Sequence, residues 1–164
     1  MENTMTIAVG DKVPSASTML ATKNGPEKVD TAEYLASGKV AFFALPGAYT
    51  PTCSAQHLPG FVEKAADLKA KGVDKIVCMS VNDAFVMGAW GEAHNAGEKV
   101  EMLADGNGEF SRALGLTMDG TAFGMGERSQ RFAMVLNNGV VEQLFVEEPG
   151  AFEVSSAEHI IKNL

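Results

Sequence analysis

The stretch VAFFALPGAYTPTCSAQHLPG, residues 40–60, decides the fold. Val40 to Leu45 is an unbroken apolar run ended by Pro46-Gly47. Such a run predicts a strand buried on both faces. The chain then turns into a helix, for which Thr50 is a good N-cap and Pro51 a good first residue. The helical pattern continues to about Lys71, with a kink expected at Pro59. A buried strand passing through a short turn into a helix is the repeating step of an α/β fold, and sites in open α/β sheets lie at such strand ends.

Working outward, Ile76 to Val81 reads as a second buried strand. Asp83 precedes a helical pattern through Ala96, with Phe85, Val86, Ala89, Trp90 and Ala93 on one face. Lys99 to Ala104 reads as a shorter strand and Phe110 to Leu114 as a short helix. Arg131–Leu136 and Val140–Val146 flank Asn137-Asn138-Gly139, a hairpin signal. Ser155 and Glu158 read as a capping box opening a last helix. The order is strand-helix-strand-helix-strand-helix-strand-strand-helix. It predicts a mostly parallel, mixed central sheet flanked by helices and closed by a C-terminal β-hairpin and helix. That is compatible with a thioredoxin-like fold, and the pattern alone leaves other α/β folds open.

Composition narrows the function. The chain has 164 residues, 46% of them hydrophobic, enough for a single domain, 1–164, with a proper core. A formal net charge of −8 argues against nucleic acid and against an anionic membrane surface. No window approaches the ~18 consecutive apolar residues of a spanning helix. Residues 1–20 lack the apolar core of a secretory signal. Two cysteines, Cys53 and Cys78, do not make a secreted disulfide framework. The expected compartment is the reducing cytoplasm.

Cys53 falls third in the helix that begins at Pro51. A sulfur in a first helical turn lies near unpaired amide N–H groups and the positive end of the helix dipole, which favours thiolate over thiol. The bland alternative is a small buried hydrophobe. The flanks here are turn formers and hydroxyls rather than an apolar run, which favours the functional reading. Thr50 stands three before Cys53, where a disulfide oxidoreductase would carry a second cysteine. A hydroxyl there can hold a polar substrate, cap the helix, or both. His57 lies one turn after Cys53; it could act on the thiol or the substrate, or be a satisfied half-buried histidine.

Pro46-x-x-x-Thr50-x-x-Cys53 resembles the active-site signature of the peroxiredoxins. The longer string from Pro46 to Phe61 resembles the type II, peroxiredoxin-five-like subfamily, as do Ser80–Met87 and Arg131–Val135. The resemblance covers nearly the whole chain. It implies a thioredoxin-fold thiol peroxidase that reduces hydrogen peroxide or an alkyl hydroperoxide through a sulfenic acid on Cys53. It implies that Thr50 binds peroxide, that Pro46 shields the sulfur, and that Arg131 stabilises thiolate and peroxide oxygen, with Arg128 in a lesser, supporting role. It implies no metal or organic cofactor, because sulfur carries the redox change.

In the mammalian form of this subfamily a resolving cysteine stands near the C-terminus, where this chain has Val154. Cys78 remains; mid-strand in an apolar run, it reads first as a core cysteine and second as a resolving thiol. The resemblance therefore points to an external thiol, glutathione with glutaredoxin or thioredoxin, and to a homodimer. Rival chemistries fit less well. A cysteine phosphatase needs Arg where Pro59 stands, a papain-like protease needs a different setting for His94 or His159, and Cys53 with His57 supplies only two local metal ligands. Gly106-x-Gly108 and Gly124-x-Gly126 are incomplete as dinucleotide fingerprints. A peroxide sensor or chaperone on the same fold would look alike in sequence, and catalytic recycling separates the two.

Overall fold

A computed structural model describes residues 6–164. Residues 1–5, part of the stretch weighed above as a targeting signal, lie outside the described residues. Among the described residues no helix is long and apolar enough to cross a membrane.

The apolar run of residues 40–45 forms β3 (Lys39–Ala44), the middle of a seven-stranded sheet. Its neighbours are β4 (Lys75–Ser80), which runs parallel to it, and β8 (Phe132–Asn137), which runs antiparallel. Beyond β4 lie β5 (Glu101–Ala104), parallel, then the hairpin of β1 (Ser17–Thr22) and β2 (Gly25–Asp30); beyond β8 lies β9 (Val140–Val146). The full order is β2-β1-β5-β4-β3-β8-β9. Only the β3–β4 and β4–β5 pairs are parallel, so the sheet is mixed but not mostly parallel. The β8–β9 turn is made by Asn138 (φ 51°) and Gly139 (φ 80°), the left-handed pair that a two-residue hairpin requires.

The β1–β2 hairpin and the short pair β6 (Thr117–Asp119) and β7 (Glu127–Ser129) were not foreseen. Their residues are half-exposed and mostly polar, so they carry neither a buried run nor a clean alternation.

Both faces of β3 are buried, as its sequence demands. Ala41 and Phe43 enter one core with Leu58, Phe61, Leu68 and Trp90; Val40 and Phe42 enter the other with Phe110, Phe132 and Leu136. The first core is covered by α2 (Leu58–Glu63), α3 (Ala65–Ala70), α4 (Ala84–Ala93) and α6 (Ala157–Asn163); α5 (Glu109–Leu114) covers the second, and the short α1 (Thr31–Tyr34) leads into β3.

Three expected details differ. The buried residues of α4 are Ala84, Met87, Trp90 and Gly91, while Phe85 is 75% exposed. Met87 and Trp90 fill the core beneath the helix, and at Gly91 the helix packs so closely on β5 that a Cβ would stand 2.8 Å from Met102. The cap of α6 is Ser156, whose hydroxyl accepts from His159 N–H, and not Ser155. The expected kink at Pro59 becomes a π turn over Cys53–His57, in which Leu58 N–H reaches the Cys53 carbonyl. Pro59 then enters α2 in its first turn, where its missing N–H costs nothing. The helix breaks instead at Lys64 (φ −97°, ψ 10°).

Candidate active site

The site lies where β3 ends. Leu45 N–H still bonds to the Met79 carbonyl of β4, and the chain then leaves the sheet through Pro46–Tyr49. Several contacts hold this loop. Asn82 Oδ1 accepts from Ala48 N–H at 2.9 Å. Arg128 donates through Nη1 to the Pro46 carbonyl at 3.3 Å and through Nε to the Met125 carbonyl at 2.9 Å. Gly47 makes this possible, since a Cβ there would stand 2.8 Å from Arg128 Nη1. Tyr49 takes a left-handed conformation (φ 66°), a strained position of the kind found at functional sites.

Thr50 ends the loop. Its carbonyl accepts from Ser54 N–H at 2.9 Å, opening the first helical turn, so Cys53 sits in that turn. The Thr50 hydroxyl does not cap the helix. It donates back to the Gly47 carbonyl at 2.8 Å, so its lone pairs, not its proton, face any incoming group. The turn is tied to α4 by Trp90 Nε1, which donates to Ser54 Oγ at 2.9 Å.

Arg131, the residue before β8, is brought to the sulfur from 78 residues away: Nη2 donates to Cys53 Sγ at 3.1 Å. Its other terminal nitrogen, Nη1, donates to His57 Nδ1 at 2.9 Å. Arginine can only donate, so His57 Nδ1 must be unprotonated and its proton must sit on Nε2, which bonds to the Ser155 carbonyl at 2.9 Å. His57 is fully buried and not half-buried, packed against Phe43, Phe61 and Phe152 with ring centroids 4.8, 5.8 and 5.0 Å away. Burial, reinforced by the Arg131 charge, brings its pKa down to about 3, so the imidazole is neutral. Phe152 also lies 5.9 Å below the guanidinium carbon.

Cys53 has no exposed surface. A cavity of about 740 Å³ opens beside it, walled by Pro46, Thr52 and Arg131 on the site's side and by Met118, Phe123 and Pro149 beyond. Cys78 is also free and buried; burial and then the neighbouring Cys53 push its thiol well above the ordinary value. Val154 lies between two residues, Glu153 and Ser155, whose N–H groups bond to Glu147 Oε2.

The structure thus gathers Pro46, Thr50, Cys53, His57, Arg128 and Arg131 in one place. Sequence reasoning missed Glu147, Phe152, Ser155 and Asn82. Glu147 and Glu148 look alike in the string Val-Glu-Glu-Pro, and only the fold buries one of them. Among the described residues no group of three or more His, Cys, Asp and Glu could hold a metal ion.

The family model described as Redoxin matches residues 8–161. Peroxiredoxin-2B of Arabidopsis thaliana is 48% identical over 159 residues, covering 96% of this chain and 98% of its own length. The chloroplastic peroxiredoxin-2E-2 of Oryza sativa subsp. japonica is 53% identical over 164 residues, covering 97% of this chain and 73% of its own. Among solved structures, reduced Prx3 in complex with H2O2 from Vibrio vulnificus shares the fold at a TM-score of 0.92 and 54% identity, covering 96% of this chain and 98% of that one.

Proposed function

The chain belongs to the redoxin family and is a type II peroxiredoxin, a thiol peroxidase that reduces peroxides with a thiol reductant; from that premise we propose that Cys53 is its peroxidatic cysteine, working by a one-cysteine mechanism. The observation that carries this reading is the Arg131 guanidinium, which donates to Cys53 Sγ through one nitrogen while His57 holds the other.

A peroxide enters from the cavity past Pro46 and Arg131. Its O–H donates to the free lone pairs of Thr50, and Arg131 faces its oxygens. The Cys53 thiolate attacks the terminal oxygen; the O–O bond breaks as the S–O bond forms. Sulfur is oxidised by two electrons to the sulfenic acid. The other oxygen leaves with the electron pair, takes up a proton and departs as an alcohol, or as water from hydrogen peroxide. Arg131 and the amides of the first turn stabilise the developing charge. A first external thiol displaces water from the sulfenic acid to form a mixed disulfide, and a second releases Cys53 as thiol.

The apolar wall of Met118, Phe123 and Pro149 leaves room for an organic substituent, so alkyl hydroperoxides are substrates beside hydrogen peroxide. The raised, buried thiol of Cys78 favours an external resolving thiol, glutathione with glutaredoxin or thioredoxin, as found in a reducing cytoplasm. Exposed Tyr49, on the loop after β3, and Phe85, in the first turn of α4, favour a homodimer.

The test is peroxide consumption with each reductant system. Wild type and Cys78→Ser should consume many equivalents per chain and Cys53→Ser none; loss of turnover in Cys78→Ser would refute the one-cysteine mechanism.

A further inference from the structure

Behind Arg131 and His57 stands a buried carboxylate that the reaction does not use. Glu147 follows β9, and its N–H donates to the Arg131 carbonyl at 3.0 Å, extending the β8–β9 ladder by a step. Only 7% of Glu147 is exposed. Its Oε2 accepts from Glu153 N–H at 2.8 Å, Ser155 N–H at 2.8 Å and Ser155 Oγ at 2.7 Å. Burying a carboxylate is costly unless charge-assisted bonds compensate, and these three meet on one oxygen. What they hold is the 147–155 loop, which presents Phe152 to the His57 ring and the Ser155 carbonyl to His57 Nε2.

From this arrangement we propose that Glu147 is a positioning residue for the reaction: through the Ser155 carbonyl and the His57 imidazole it fixes the direction of the Arg131 guanidinium at Cys53. The Ser155 carbonyl keeps the His57 proton on Nε2, which leaves the Nδ1 lone pair for Arg131. If the loop is released, the proton is free to move to Nδ1, which can then no longer accept from arginine. Arg131 keeps its bond to the sulfur but loses the partner that orients its plane. The backbone bond from Glu147 to Arg131 anchors the same carboxylate to the strand whose side chain it aligns. The inference rests on the reading of Cys53 and Arg131 given above.

The test is a double-mutant cycle on the second-order rate of Cys53 oxidation, measured by rapid mixing with hydrogen peroxide, with nitrogen NMR of His57 alongside. Glu147→Ala should lower the rate by about tenfold in the wild-type background and by less than about twofold in Arg131→Lys, because both act through one group. His57 should rest as the Nε2–H tautomer in wild type and as a mixture in Glu147→Ala. Glu147→Gln, which keeps the shape and one acceptor oxygen, should lose about threefold in the wild-type background and, like Glu147→Ala, less than about twofold in Arg131→Lys; it decides the matter if Glu147→Ala does not fold. Equal losses in both backgrounds with an unchanged His57 tautomer would overturn the role of Glu147 while leaving the site intact. An unchanged rate in Arg131→Lys alone would overturn the reading of the site itself, and this inference with it.

Discussion

His57 shows how one side chain combines stability with function. It gives up ordinary histidine titration to serve as a neutral acceptor between Ser155 and Arg131. Its pKa is about 3 in the folded chain against the ordinary 6.5, burial being the main cause and Arg131 the second. Between those values the unfolded chain binds the extra proton, so the stabilising contribution is complete above pH 6.5 and is lost as pH falls toward 3. Within that window the slope approaches one proton, about 1.4 kcal/mol per pH unit. Chemical denaturation of wild type and His57→Gln at a series of pH values should differ by that slope; parallel curves would show that His57 titrates normally in the folded protein. The sequence left two roles open for His57, a group acting on thiol or substrate and a satisfied histidine. It is satisfied on both ring nitrogens, and one of them reaches Arg131. Cys53 was legible because its setting is local: the cap position, the proline and the hydroxyls are all near neighbours in the chain. Arg131 was not, except by family likeness, because its contact closes a 78-residue gap that no spacing rule covers.

Among the elements, those with buried runs were read well and those with mixed surfaces poorly. β3, β4, β8 and β9 fell close to their expected bounds because an apolar run or a hairpin turn marks each. The face of α4 was misread: the inward face is Ala84, Met87, Trp90 and Gly91, turned away from Phe85, Ala89 and Ala93. Gly91 carries no apolar side chain to mark that face, and the close approach of Met102 that requires a glycine there comes from β5. At α6, two adjacent serines divided the work in a way sequence alone does not settle. Ser156 caps the helix, and Ser155 serves the Glu147 carboxylate. Ser156→Ala should therefore cost about 1 kcal/mol of stability, as cap removals do, and leave the peroxidase rate unchanged. Thermal unfolding with a matched rate measurement checks this; a fall in rate in Ser156→Ala at unchanged stability would contradict the division. The π turn belongs to this scale too. It lets Pro59 follow closely on Cys53 without breaking the helix that carries the sulfur.

At the scale of the whole molecule, the mixed sheet brings the end of β3, the start of β8 and the segment after β9 to one edge, where three distant parts of the chain meet around Arg131 and His57, beside Cys53. The general architecture was legible from the alternation of elements; the sheet's antiparallel margins were not, because β1 and β2 are half-exposed. The exposed Phe85 and Tyr49 beyond that edge make dimerisation a property to measure. Sedimentation should show a dimer for wild type and a monomer for Phe85→Arg; a wild-type monomer at micromolar concentration would remove the homodimer from the proposal. The decisive observation is mass spectrometry of the reduced protein after one equivalent of peroxide, with a sulfenic-acid trap present. Trapped adduct on Cys53, with Cys78 unmodified, is expected; a Cys53–Cys78 disulfide, or oxidation that spares Cys53, would contradict a reaction centred on one guanidinium-held sulfur.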